Sequence, residues 1–194
     1  MIYLDNSATS PIAQEVFEAM RPYLQEEYGN PSSKYYPLAA HAADAVENSR
    51  SWVAKLIHAK PEEIIFTCGS TESTNMIIKG VADYKKYYEK KGNHIITTTV
   101  EHHAVLHSCA ALEKQGFEVT YVPVHENGIV RVEDIEAAIR PDTGLVTIMY
   151  ANNEIGTVQP IKEIGALCRK HKIWFHTDAV QAFGHVPINV EEQN

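Results

Sequence analysis

Trp174-Phe175-His176-Thr177-Asp178-Ala179-Val180-Gln181 opens on bulky apolar residues and closes on a carboxylate followed, three residues later, by an amide. Its apolar half reads as the end of a buried strand. Just upstream, Pro160 opens a helix that carries Ile161, Ile164, Leu167 and Cys168 at helical spacing. The same alternation continues back along the chain. Strands are predicted over residues 145–149, 118–122, 94–98 and, as a short buried run, 64–67. Helices are predicted between them over 132–139, from about His102 to Gln115 with a stop at Gly116, and from Thr71 to about Tyr88 with a stop at Gly92. Strands that alternate with helices pair in parallel and need helices on both faces. The expectation is an α/β fold, a three-layer α/β/α sandwich around a mostly parallel sheet.

The first sixty residues follow another pattern. Ile2-Tyr3-Leu4 reads as a short strand that runs into the polar turn Asp5-Asn6-Ser7. Ser10-Pro11 has the form of a helix cap followed by proline at the first helical position. Ile12, Val16, Met20 and Leu24 then recur at helical spacing, with Pro22 expected to kink or end the element early. Gly29-Asn30-Pro31-Ser32-Ser33 is a loop. From Pro37 a second helix lines up Leu38, Ala42, Ala45, Ser49, Val53 and Leu56 on one stripe.

Composition narrows the function classes. With 44% hydrophobic and 22% charged residues in 194, the chain can bury one sizeable core. A formal net charge of -8 and the lack of a basic block argue against nucleic acid or an anionic membrane as partner. The start has neither the basic nor the apolar region of a signal peptide, and no run is long enough to span a bilayer. Three widely spaced cysteines, Cys68, Cys109 and Cys168, suit a reducing, cytoplasmic setting.

Ligands of α/β folds gather beyond the carboxyl ends of the strands, which directs attention to four stretches. Asp178 is a carboxylate at such an end. It suits a cationic ring nitrogen, which it keeps protonated, and the pyridinium of pyridoxal 5'-phosphate (PLP) has that need. Gly69-Ser70-Thr71 combines close backbone approach, two hydroxyls and the free N–H groups of a helix start, which suits a phosphate; a plain Ser/Thr-capped turn has the same appearance. His102 falls near the start of its helix, where an imidazole can lie against an aromatic ring and relay protons. His103 and His107, four apart, form a metal-like pair without a recognisable ligand set. Asn152-Asn153 offers two amides to a phenolic oxygen or a carboxylate, and Gly156 lets the chain turn away behind them.

Taken together, these residues resemble the cysteine desulfurase family within the class V, fold-type I PLP enzymes. The matching stretches are Tyr3-Leu4-Asp5-Asn6-Ser7-Ala8-Thr9, Gly29-Asn30-Pro31-Ser32-Ser33 and Phe66-Thr67-Cys68-Gly69-Ser70-Thr71-Glu72-Ser73, then Glu101-His102, Asn152-Asn153-Glu154-Ile155-Gly156 and His176-Thr177-Asp178-Ala179-Val180-Gln181. The resemblance covers the whole chain in unbroken order. It implies that Ser70 and Thr71 hold the cofactor phosphate, and that His102 stacks on the ring and transfers protons. It further implies that Asn153 contacts the adduct near the ring hydroxyl, Asp178 pairs with the ring nitrogen, and Gln181 bonds the phenolic oxygen. Cys68 stands where the family usually has Ser or Ala.

The implied reaction takes L-cysteine to L-alanine and passes sulfur to a protein cysteine as a persulfide. Its implied partners are a second copy of the chain in a homodimer and a sulfur-acceptor protein, in settings such as iron–sulfur cluster assembly. The family's covalent lysine lies in a Ser-x-His-Lys stretch beyond Asp-x-x-Gln, and its sulfur-accepting cysteine lies farther on. No lysine of this sequence follows such a stretch. Residues 1–194 are therefore expected to be an N-terminal segment plus an incomplete PLP-binding large domain, without the small C-terminal domain and inactive alone. The alternatives are half of a split enzyme, a non-catalytic PLP-binding module, or another class V activity such as selenocysteine lyase or aminotransferase.

Overall fold

The computed structural model describes residues 2–194. They form two units, one ending at Ile65 and the other Phe66–Asn194.

The first unit is built on α1 (Gln14–Gln25) and α2 (Pro37–Ile57). Ile2, Tyr3 and Leu4 are not a strand; Ile2 and Leu4 are almost fully exposed, and a strand without a partner has no ladder to hold it. Helix α1 begins at Gln14 from an Ala13 cap rather than at Ser10-Pro11. It also runs one turn past Pro22, whose carbonyl closes the helix by accepting from the Glu26 and Glu27 amides, both at 2.8 Å. Helix α2 starts at Pro37 as expected and stops at His58, which adopts the left-handed conformation. The loop before it needs glycine: a Cβ on Gly29 would run into the Leu38 carbonyl. Asn30 shapes the same loop by accepting the Ser32 amide at 3.0 Å.

Residues 64–67 are a second departure. Ile65 is 70% and Phe66 51% exposed, with no strand pairing at either residue. The apolar run has strand character, but no neighbouring strand supplies its hydrogen bonds among the described residues.

The second unit is the expected sandwich. Its elements are α3 (Ser70–Asp83), a wider helical turn at Tyr84–Tyr88, β1 (His94–Thr98), α4 (His103–Glu113), β2 (Glu118–Val122), α5 (Val132–Ala138), β3 (Thr143–Thr147), α6 (Ile161–His171) and β4 (Trp174–His176). The sheet order is β2-β1-β3-β4, and all three pairings are parallel. Ile95 and Leu145 pack on one face with Ile78 and Ala82 of α3 and Val105, Cys109 and Leu112 of α4. The next residues, Ile96 and Val146, pack on the other face with Ile135 of α5 and Ile161, Ile164, Leu167 and Cys168 of α6. Period-two alternation thus feeds both layers, and β1 and β3 read as continuous apolar or Thr-rich runs because both of their faces are covered.

The tail after β4 closes over α6. Val186 and Ile188 join the α6 core cluster, and Gln193 donates to the Tyr150 hydroxyl at 2.7 Å. No helix of the described residues is long and apolar enough to cross a membrane.

Candidate active site

Parallel strands bring their carboxyl ends to one edge, and the side chains that follow them share that edge. Register makes this concrete here. Ile96 pairs with Val146 and Val146 with Phe175, so Thr98, the last residue of β1, comes level with Ile148 and Thr177, the first residues after β3 and β4. His102, Asn152, Asn153 and Asp178 come next in their respective loops. The ladder also continues past the strands, with the Ile148 amide donating to the His176 carbonyl at 3.1 Å and the Tyr150 amide to the Asp178 carbonyl at 2.8 Å.

Helix α3 reaches the same edge from the opposite direction. Lys85, just past its C-terminus, lies against Gly144 at the start of β3. Fourteen residues of helix span about 21 Å, enough to cross a five-residue strand of about 17 Å. The α3 N-terminus with Ser70 and Thr71 therefore sits over the carboxyl edge.

Each side chain has a local reason for its pose. Ser70 and Thr71 are exposed in the first turn of α3, which begins at Gly69 without a side-chain cap. A Cβ on Gly69 would meet nothing within 4 Å, so open space faces these amides. The fit is to an anion, since several N–H groups of such a turn have no intrahelical partner. His102 caps α4: its Nδ1 accepts the Ala104 amide at 3.1 Å. An accepting Nδ1 leaves the proton of the neutral ring on Nε2, which belongs to an exposed imidazole.

The two amides divide their labour. Asn152 is buried and structural: its Nδ2 donates to the Val100 carbonyl at 3.0 Å, and its Oδ1 accepts the Glu154 and Ile155 amides at 2.8 and 3.0 Å. Asn153 is half-buried, and among the described residues its side chain makes a single 3.3 Å bond, to Glu154, so it is the amide more available to a ligand. Gly156, at φ 72, supplies the turn that returns the chain towards Val158. Asp178 Oδ1 accepts the Val180 amide at 3.1 Å, which leaves Oδ2 without a protein donor among the described residues. Gln181 follows in the same turn, half-buried.

Three polar groups of this region, Glu101 and Gln159 buried and His176 half-buried, receive no role of their own from the sequence. Glu101 is 5% exposed, and its Oε1 accepts both the Thr98 hydroxyl at 2.6 Å and the Met149 amide at 3.0 Å. Burial, reinforced by the charge of Asp178, pushes its carboxyl up to about 7. His176 Nδ1 pairs with the Thr147 hydroxyl at 2.8 Å, and burial pushes this imidazole down to about 4. Gln159 is buried in the hairpin behind Asn153, where it bonds the Val130 amide and the Gly128 carbonyl. An acid beside a histidine and an amide before a proline are both common, so only packing marks them out.

Two of the three cysteines are held as thiols. Burial pushes the Cys109 and Cys168 thiols up to about 12, far from the thiolate form. Cys68 is exposed beside the α3 turn. His103 and His107 stack at 5.4 Å on the exposed face of α4, and no group of three or more metal-ligating side chains occurs among the described residues.

A protein-family model described as Aminotransferase class-V matches residues 2–194. A mitochondrial cysteine desulfurase from Arthroderma benhamiae is 56% identical over 193 residues, covering 100% of this chain and 38% of its own length. The cysteine desulfurase IscS of Methanosarcina thermophila is 54% identical, covering 100% of this chain and 47% of its own. The solved structure of SspA in complex with cysteine superposes with a TM-score of 0.94 at 43% identity, covering 99% of this chain and 54% of that one. The chain thus spans about half the length, or less, of the curated relatives it matches.

Proposed function

The chain belongs to the class V aminotransferase family, and from that premise we propose that it forms the cofactor-holding part of a PLP-dependent cysteine desulfurase. The observation that carries this reading is convergence. An uncapped helix start with two hydroxyls, an imidazole with its Nε2 outward, a free amide and a half-satisfied carboxylate arrive at one sheet edge from four separate elements. The donor set fits PLP group by group: an anion site, a flat partner for a ring, and a carboxylate for a cationic nitrogen.

In this proposal Ser70, Thr71 and the α3 amides bind the phosphate. Asp178 Oδ2 accepts from the ring nitrogen and holds its proton in place. Gln181 and Asn153 bond the phenolic oxygen side, and His102 lies against the ring and moves protons through Nε2. When bound, PLP supplies an electron sink that acidifies the Cα–H bond of an amino acid. The substrate proposed is L-cysteine. A protein thiolate would attack its sulfur, forming the S–S bond of a persulfide as the C–S bond breaks; the electron pair would go to the carbon side, and protonation of that carbon would give L-alanine. A homodimer and a sulfur-acceptor protein complete the proposal, with the unit from Phe66 onward as part of a large cofactor-binding domain. Neither the covalent lysine nor the sulfur-accepting thiol is assigned to a residue of this chain.

Titration with PLP tests the reading. The chain should bind PLP weakly and without a covalent bond, so borohydride reduction should leave no stoichiometric pyridoxyl lysine. Asp178→Ala should weaken binding about tenfold or more, the worth of a charge-assisted hydrogen bond. Unchanged affinity in that variant, or one fully labelled lysine, would contradict the assignment.

A further inference from the structure

Glu101 lies where the ends of β1 and β3 meet. Its Oε1 gathers the Thr98 hydroxyl from the end of β1 and the Met149 amide from the end of β3. Beside it, Asn152 reaches back to the Val100 carbonyl. Two strand-end loops, one bearing His102 and the other Asn153, are thereby fastened through a single carboxyl and one amide. The second carboxyl oxygen, Oε2, is buried and has no partner. An ionised carboxylate with one oxygen bare in a protein interior is costly, and a second acid facing it raises that cost.

Charged and titratable neighbours are few. Asp178 faces Glu101 from beyond β4, Cys109 faces it from α4, and His102 adjoins it in the chain. His176 senses Asp178 from within β4. Two of these cannot hold Glu101 ionised: His176 is kept neutral by desolvation, and Cys109 is a neutral thiol.

We propose that Glu101 is a positioning residue: its protonated carboxyl ties the His102 loop to the Asn153 loop and leaves the negative charge of this corner to Asp178. The inference rests on the reading of these loops as a PLP site, which it deepens. A cationic ring nitrogen would then meet one carboxylate, and the loops bearing the His102 imidazole and the Asn153 amide are held to each other. When Glu101 loses its proton, the corner carries two negative charges that repel, while the Thr98 and Met149 bonds to Oε1 become charge-assisted, so the balance of forces between the loops shifts. The position of the loops therefore depends on pH through a residue that touches no ligand.

The test is carboxyl and amide NMR on the 194-residue chain between about pH 5 and pH 9. The Glu101 carboxyl carbon should titrate about two units above an ordinary glutamate. The amides of Met149, His102 and Asn153 should move with the same midpoint. Asp178→Asn should lower that midpoint by removing the facing charge. Glu101→Gln keeps the two accepted hydrogen bonds without the charge, so it should abolish the transition and leave the amide positions unchanged. Glu101→Ala should speed amide exchange at Met149 and Asn153 about tenfold, a loss that Gln does not produce. Should the Ala variant fail to fold, the wild-type titration and the Gln variant still decide.

An ordinary glutamate midpoint, or amides that ignore it, overturns the inference, even if PLP binds with the expected dependence on Asp178. Coupled titration in a chain that does not bind PLP supports the positioning role and removes the cofactor reading instead.

Discussion

Glu101 is buried and His176 half-buried, and their stability effects run in opposite directions. Glu101 has a folded pKa raised above its unfolded value, so its contribution is fully present below about 4.5 and is lost as pH rises through about 7. His176 has a depressed folded pKa. Its contribution is present above about 6.5 and is lost as pH falls through about 4. Between these limits the two trends oppose each other and flatten the profile. Glu101→Gln removes one of them. The variant should gain on the order of 1–3 kcal/mol over the parent at pH 8 and match it at pH 4; urea unfolding at both pH values checks this, and equal stability at pH 8 contradicts it. The sequence made Asp178 and His102 legible, because an acid or imidazole after an apolar strand stands out. The family resemblance includes Glu101 in a matching stretch and singles out Asn153, but residue chemistry alone gives Glu101 no role and does not separate Asn152 from Asn153. Adjacent amides have the same chemistry, and the carbonyl of Val100, 52 residues away in the chain, helps decide which one is consumed by structure.

Helix α6 shows how an element can be read correctly while its constraints stay hidden. Pro160 and the apolar spacing place it, and the structure gives Ile161–His171. Its end falls on Lys172, which adopts φ 58, a conformation that costs a side chain about 1 kcal/mol or more and glycine almost nothing. Lys172→Gly should therefore be neutral or stabilising by up to about 1 kcal/mol, in contrast with glycine substitutions inside the helix; a clear loss in thermal unfolding would show that the Lys172 side chain contributes. Gly165 behaves in the opposite way. Alanine there improves helix propensity, yet its Cβ would strike the backbone carbonyl of Gln193. Gly165→Ala should release the tail over residues 187–194 and expose it to protease, whereas a tail equally resistant in both proteins would refute that packing. The start of α1 and the run 64–67 were misread for a related reason. Cap and strand preferences are local, but a cap is used only where the chain turns and a strand forms only beside another.

At the scale of the whole molecule, large apolar side chains remain exposed. The sheet has two open edges, β2 and β4, and Trp174 on β4 is 48% exposed. Beside it stand Tyr84 at 6.0 Å and the Lys85 ammonium at 5.2 Å from the ring. Open edges with nearby aromatic rings pair readily with other chains. Opposing this is the net charge of -8, whose repulsion salt screens. The chain should self-associate, and more strongly at 0.5 M than at 0.05 M salt, in sedimentation velocity; a monomer under both conditions would mean that the edges are protected.

The order of strands and helices from β1 onward, the two-faced burial of the sheet and the end of each strand where chemistry can occur were all encoded locally, in apolar period and in turn residues. Which loops meet at that edge was not. Ser70, His102, Asn153 and Asp178 are separated by tens of residues, and what joins them is the parallel register of strands whose hydrogen bonds form between distant segments. Backbone pairing is blind to side-chain identity, so adjacency across the sheet, and with it the protonation of a buried glutamate, arises only once the chain has folded.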